Sequence, residues 1–224
     1  MKPLDGKLAI VTGGTRGIGL ACARMLERNG AEVVTIAWGK EATLQCDLSD
    51  RQAVETAIDH IRSKHAWPEI IVNNAGVFRM EEVQATEAYD FEMAFKVNLF
   101  APFLFVSSFL RDMKHRSVGD IVTIGSIADR AIFPGNAAYS ASKFGARAMH
   151  EVLRAELKGS GVRAALISPG PVDTDIWNEV DPDNTPGFTP RKSMLTADAV
   201  ASAVEFVLTL PREVNVDELR LSRT

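Results

Sequence analysis

Tyr139 and Lys143 stand four residues apart, and Ser126 lies thirteen residues before the tyrosine. In a helix, positions i and i+4 share a face, so the phenol and the ammonium point the same way. A cation beside a phenol favours the phenolate, so that it can exchange protons well below its free pKa of about 10. A serine hydroxyl aimed at the same point can hold a carbonyl or alcohol oxygen. A hydride carrier would complete that chemistry. The run Thr12-Gly13-Gly14-Thr15-Arg16-Gly17-Ile18-Gly19 offers a place for a dinucleotide. Gly13 lets the chain turn sharply, while Gly17 and Gly19 let the backbone approach a pyrophosphate and pack on the sheet. The helix that follows presents free N–H groups and a partial positive charge to phosphates. Together these elements imply hydride transfer.

The elements that must position these residues are legible as alternating patterns. Buried strands are expected at Leu8-Val11, Val33-Ile36, Thr43-Cys46, Ile70-Val72, Ile121-Ile124, Ala164-Ile167 and Glu218-Leu221. Helical periodicity runs over Leu20-Arg28, Asp50-Lys64, Tyr89-His115, Ala138-Lys158 and Thr196-Thr209. Ser49 and Asp50 are candidate caps. Apolar strands alternating with helices imply a parallel sheet covered on both faces, hence an α/β, doubly wound Rossmann fold. Only Trp38-Gly39-Lys40-Glu41-Ala42 separates the second and third strands. A parallel crossover normally needs a helix of about a dozen residues, so the third strand is expected to be short or imperfectly paired. The irregular stretch at about 170–195, with Trp177 and Phe188, reads as a substrate lid.

Composition bounds the rest. A length of 224 residues suits a single domain, 1–224, and 46% hydrophobic content is enough for a large core. The net charge of -4 disfavours nucleic acid as a partner. Cys22 and Cys46 lack metal-like spacing and read as buried thiols in a reducing compartment. No metal site is expected, because His60, His65, His115 and His150 are scattered; surface or capping roles suit them. There is no apolar leader, and Leu99-Leu110 is too short to span a membrane and is broken by Pro102, Ser107 and Ser108. A soluble, cytoplasmic protein with no membrane partner is expected.

Taken in order, Thr12-Gly19, Cys46-Asp47-Leu48, Asn73-Asn74-Ala75-Gly76, Asn98, Ser126, Tyr139-Ser-Ala-Ser-Lys143 and Pro169-Gly-Pro-Val-Asp-Thr174 resemble the compact short-chain dehydrogenase/reductase family over nearly the whole chain. The resemblance implies a three-layer Rossmann fold with about seven strands. It implies a catalytic set of Asn98, Ser126, Tyr139 and Lys143: Tyr139 exchanges the proton, Lys143 lowers the tyrosine pKa and binds ribose, Ser126 orients the substrate oxygen, and Asn98 holds a water. It implies cofactor contacts from Gly13, Thr15, Arg16, Gly17, Ile18, Gly19, Trp38 and Leu48. Asp47 would receive the adenine, Asn74, Ala75 and Gly76 would line its ribose, and Pro169, Gly170, Val172 and Thr174 would border the nicotinamide. Asp47 read alone is also a capping carboxylate ahead of Ser49. Asn98 read alone is a helix-kink residue, and Asn74-Gly76 an architectural brace for the glycine loop. Similar proteins form homodimers or homotetramers through the long helix and the Tyr-Lys helix.

Cofactor choice turns on the end of the second strand. An acid there would bind the ribose 2′-OH of NAD and repel a 2′-phosphate. Ala37-Trp38-Gly39-Lys40 has none before Glu41, and Arg16 with Lys40 could clamp a phosphate. NADP(H) is therefore favoured, with NAD(H) the alternative. The substrate is expected to be a small-molecule ketone, aldehyde or alcohol, enclosed by Val77, Phe78, Ala128 to Phe133, Trp177 and Phe188, with Arg79, Asp129 and Arg130 as nearby charges. A non-catalytic dinucleotide sensor and a 3-oxoacyl-thioester reductase are the rival readings. A basic patch at the cleft mouth would favour the latter.

Overall fold

The computed structural model describes residues 2–65 and 67–224. Its strands are β1 (Leu8–Thr12), β2 (Glu32–Ala37), β3 (Leu44–Gln45), β4 (Ile70–Asn73), β5 (Gly119–Ile124), β6 (Val162–Pro169) and β7 (Glu218–Leu221). Its α-helices are α1 (Gly17–Arg28), α2 (Arg51–His65), α3 (Ala88–Phe95), α4 (Ala101–Arg116), α5 (Ala137–Glu156) and α6 (Ala197–Thr209). The strands form one sheet in the order β3-β2-β1-β4-β5-β6-β7, and all its pairs are parallel. The seven strands, wound in both directions from β1, give the expected doubly wound fold.

Successive strand residues feed opposite faces, because the side-chain period of a strand is two. Leu8 and Ile10 of β1, Ile71 of β4 and Ile121 of β5 pack under α2, α4 and α5. Ala9, Val11, Ile70, Val72 and Val122 pack under α1 and α6. Order reverses between β1 and β4, since β1 pairs with both β2 and β4. Ligands of such sheets bind at the carboxyl ends of the strands beside this reversal.

The stretch expected as one helix over Tyr89-His115 is α3, a five-residue π turn at Lys96–Phe100, and α4. Pro102 does not break it: proline lacks an N–H and is tolerated in a first turn, and here it occupies the first turn of α4, just after the π turn. The run Ala88–Arg116 is thus long and apolar enough to cross a membrane by length and composition, unlike the short stretch Leu99-Leu110. One face of it is core, with Phe105, Phe109 and Met113 fully buried.

The β2–β3 connection is a loop, and β3 keeps only two residues. It still pairs in parallel, Ile36 with Leu44 and Ala37 with Gln45. Thr35 and Thr43 hold the loop closed, with their hydroxyls 3.1 Å apart and the Thr43 N–H donating to Thr35 Oγ1 at 2.9 Å. Asp50 caps α2, accepting from the Gln52 N–H at 2.9 Å. His150 is buried on α5, contrary to the expected surface role. Cys22 and Cys46 are free and buried.

Candidate active site

One cavity of about 920 Å³ runs along the carboxyl ends of the strands, and both the glycine loop and the Tyr-Lys helix line it. The glycine loop is closely fitted. Gly13 has a φ of 65°, and a Cβ there would lie 2.9 Å from Ala75 Cα. A Cβ on Gly19 would meet the Gly13 carbonyl oxygen at 2.1 Å. Only glycine allows the turn and the helix to approach in this way. No side chain caps α1, so its first amides keep free donors, and Gly17 and Ile18 border the cavity. This cradle fits a dinucleotide pyrophosphate.

Asn74 braces the loop, as its architectural reading expects: Nδ2 donates to the carbonyls of Thr12 at 3.0 Å and Gly13 at 3.2 Å. Thr12 Oγ1 accepts from the Asn74 and Ala75 N–H groups. At the adenosine end Thr15, Arg16, Trp38, Asp47, Leu48, Ala75 and Gly76 also line the cavity. Asp47 is at the same time a turn acceptor for Ser49, whose N–H and hydroxyl it takes at 2.9 and 2.7 Å. Lys40 is not part of the lining, whereas Glu41 is. The short β2–β3 loop folds the Glu41 carboxylate back over Gly39, 2.4 Å from where a Cβ would stand. The expected Arg16–Lys40 clamp is thus reduced to Arg16, with a carboxylate nearby.

At the other end, α5 carries Tyr139 and Lys143 one turn apart, and β5 leads into Ser126. The serine opens a 3-10 turn, Ile127–Asp129, with Oγ accepting from the Ala128 N–H at 3.1 Å. Lys143, only 6% exposed, donates to the Ile124 carbonyl at 3.0 Å, and Nζ is 5.6 Å from the Tyr139 ring centre. The phenol is not lowered, contrary to expectation. Burial pushes it up to about 12, with Ser126 pulling down and Asp129 pushing up. Burial pulls Lys143 down to about 8, opposed by Asp129. Desolvation is the largest cause for both groups.

Asn98 lies in the π turn, as its kink reading expects. Its Oδ1 accepts from the Val77 N–H at 2.8 Å, and Nδ2 donates to Val77 O and Ser142 Oγ. Asn98 does not line the cavity.

Pro169, Gly170, Val172 and Thr174 line the cavity where the stretch 170–195 begins. Thr174 meets the glycine loop, 3.0 Å from a Cβ on Gly17. Two short 3-10 turns, Asp175–Trp177 and Arg191–Ser193, structure this stretch. Arg191 ties it together through Asp173, Thr174 O and Asn178. An aromatic series leads outward from the phenol: Phe78 is edge-on to Tyr139 at 4.9 Å and to Trp177 at 5.1 Å, and Phe188 follows. Met80, Met93, Phe133 and Met194 complete the apolar wall. Arg79, Asp129 and Arg130 do not line it: Arg79 pairs outward with Asp90 at 2.8 Å, and Asp129 is buried behind the wall. Glu41 and the methionines escaped the sequence reading. Their signal lay in loop conformation and long-range packing, which no local pattern carries.

A family profile described as short chain dehydrogenase matches residues 7–185. Dehydrogenase/reductase SDR family member 11 of Homo sapiens is 31% identical to this chain, covering 97% of it and 94% of the relative. A solved metagenomic short-chain oxidoreductase (SDR) in complex with NADP is similar at 26% identity and a TM-score of 0.83, over 99% of each chain. A gluconate 5-dehydrogenase from Burkholderia cenocepacia J2315, in complex with NADP and tartrate, has a TM-score of 0.86 at 26% identity, covering 98% of this chain and 94% of that one. The chain belongs to the short-chain dehydrogenase/reductase family, and it is an oxidoreductase acting on CH–OH groups.

Proposed function

We propose that the enzyme interconverts an apolar, uncharged ketone or aldehyde with its alcohol, using NADP(H). The observation that carries this reading is the convergence of Ser126, Tyr139 and Lys143 at one end of a cavity whose other end is the glycine cradle. When bound, the nicotinamide supplies or accepts the hydride. Gly13, Gly17 and Ile18 would hold its pyrophosphate, with Gly19 off the cavity and packed against the Gly13 carbonyl, and Arg16 the 2′-phosphate; NADP in two similar structures supports that choice.

In reduction, Ser126 donates a hydrogen bond to the carbonyl oxygen and orients it. Tyr139 delivers its proton to that oxygen as negative charge develops there. The raised phenol is suited to this direction, since it is fully protonated at neutral pH. Lys143 in its ammonium form stabilises the phenolate left behind. Phe78, Trp177 and Phe188 exclude water around the reacting oxygen and favour an apolar substrate. Arg16 and Lys143 are the cations of the cavity lining.

The test is Tyr139→Phe. We expect NADPH to bind as in the wild type, by fluorescence titration, while carbonyl reduction falls about a thousandfold. NADPH binding by the wild type without turnover of any apolar carbonyl would instead favour a dinucleotide sensor.

A further inference from the structure

Behind the Gly125–Ser126 wall of the cavity lies a carboxylate that the reaction above does not use. Asp129 closes the 3-10 turn that Ser126 opens, its N–H donating to Ser126 O at 2.9 Å, and it is completely buried. Its Oδ2 accepts from Ser168 Oγ on β6 at 2.5 Å, and its Oδ1 accepts from Arg130 Nε at 2.8 Å. Arg130 in turn lies 2.7 Å from Glu218 on β7, and Arg220 approaches the same oxygen at 3.7 Å. The packing leaves no slack: a Cβ on Gly125 would stand 2.7 Å from Ser168 Oγ and 2.9 Å from Asp129 Oδ2. Burying a carboxylate is costly, and a well-packed neutral side chain is often no less stable in such a place. Stability alone gives no reason for a charge here.

We propose that Asp129 is a positioning residue of this active site, which fixes the Ser126 turn to the sheet and sets the charge of the Tyr139–Lys143 pair from behind the cavity wall. The proposal rests on the reading of Tyr139 and Lys143 as the proton-exchanging pair. The charged or titratable groups around Asp129 are Arg130 on its own turn and Glu218 and Arg220 behind it on β7, and on the cavity side Tyr139 and Lys143 of α5, since Gly125, against which Asp129 Oδ2 packs, follows Ile124, whose carbonyl accepts from the Lys143 ammonium at 3.0 Å; Ser168 on β6 is neutral. A negative charge favours an ammonium and disfavours a phenolate. Asp129 acts in both senses, holding Lys143 up against burial and pushing Tyr139 further up. The result is a charged lysine and a protonated tyrosine at neutral pH, the pair that carbonyl reduction requires. Opposite-charge loss has one sign: without Asp129, both groups give up their protons at lower pH.

The experiment is a 13Cε-lysine NMR titration of the cofactor-free protein, with the Lys143 signal assigned by its loss in Lys143→Met. In Asp129→Asn, which retains shape and removes charge, the Lys143 midpoint is expected to fall by about half a pH unit or more. Asp129→Ala repeats the test should the amide disturb the turn. Ser168→Ala removes the clamp but retains the charge, and is expected to leave the midpoint in place while raising KM for the carbonyl. A Lys143 midpoint unchanged or raised in folded Asp129→Asn would overturn the proposal, because a merely structural residue would lower thermal stability without moving it. Since the titration needs no turnover, its outcome is separate from that of the Tyr139→Phe assay.

Discussion

At the residue scale, the site is governed by desolvation. The phenol sits at about 12 and the ammonium at about 8. In the proposed mechanism alcohol oxidation uses Tyr139 as a phenolate to accept the proton, so its rate should climb with pH throughout the range where the protein is folded. Carbonyl reduction in that mechanism uses a protonated Tyr139 and a charged Lys143. Tyr139 stays protonated across neutral pH, but Lys143 loses its charge as pH rises through about 8, so reduction should be level below that point and decline above it. Initial rates in both directions across pH check this, and a reduction profile rising above pH 8 would contradict it. The tyrosine, lysine and serine were legible because spacing along the chain reports them. Their protonation was not, since it depends on burial by Phe78, on Ser126 and on Asp129, brought together by the fold. Asp129 reads in the sequence as a charge near the substrate, because its partner Ser168 lies 39 residues away.

At the element scale, two devices stand out, one that holds the site's geometry and one that holds the sheet. The first is the contact between the glycine loop and the turn after β4. Gly19→Ala would drive a methyl into the Gly13 carbonyl oxygen and Asn74 Nδ2, at 2.1 and 2.4 Å. We expect NADPH affinity to fall more than about a hundredfold, with about 1–3 kcal/mol lost in stability, measured by fluorescence titration and denaturant melts. The second lies at the opposite end of the sheet. Buried Arg163, at the start of β6, donates to Asp120 and to the carbonyls of Leu208, Leu210, Pro211 and Val214. Lysine and arginine side chains near a helix C-terminus satisfy its last carbonyls, and here one arginine ties the end of α6 to β5. Arg163→Ala leaves Asp120 buried with only Arg212 as a cation partner, and should cost about 3–5 kcal/mol without altering kcat of the folded fraction. Most elements were legible as alternating apolar runs. The irregularity at Asn98 was legible as a kink, but not that it takes the form of a π turn, whose Asn98 bonds Val77 and Ser142 far along the chain. The short β3 was foreseen from the brevity of the Trp38–Ala42 loop, but the loop's path, which puts Glu41 rather than Lys40 on the cavity, depends on the Thr35–Thr43 pairing.

At the scale of the whole molecule, α4 and α5 leave Phe103 and Val152 exposed, at 47% and 59%, beside Phe100 and Phe144. We propose that copies of the chain assemble through these two helices. Phe103→Glu combined with Val152→Glu is expected to shift the species seen by light scattering from a dimer or tetramer to a monomer. A wild-type monomer at micromolar concentration would contradict it.

The central claim is that one cavity joins a dinucleotide cradle to a tyrosine acid that serves an apolar carbonyl. The most direct measurement is oxidation of NADPH and NADH by the purified protein across diketones, quinones, aldehydes and 3-oxoacyl thioesters, with Tyr139→Phe as control. We expect NADPH to be preferred, apolar uncharged carbonyls to turn over, and activity to vanish in the variant. Undiminished turnover in Tyr139→Phe would contradict it, and a preference for NADH would show that Glu41, not Arg16, governs the ribose end.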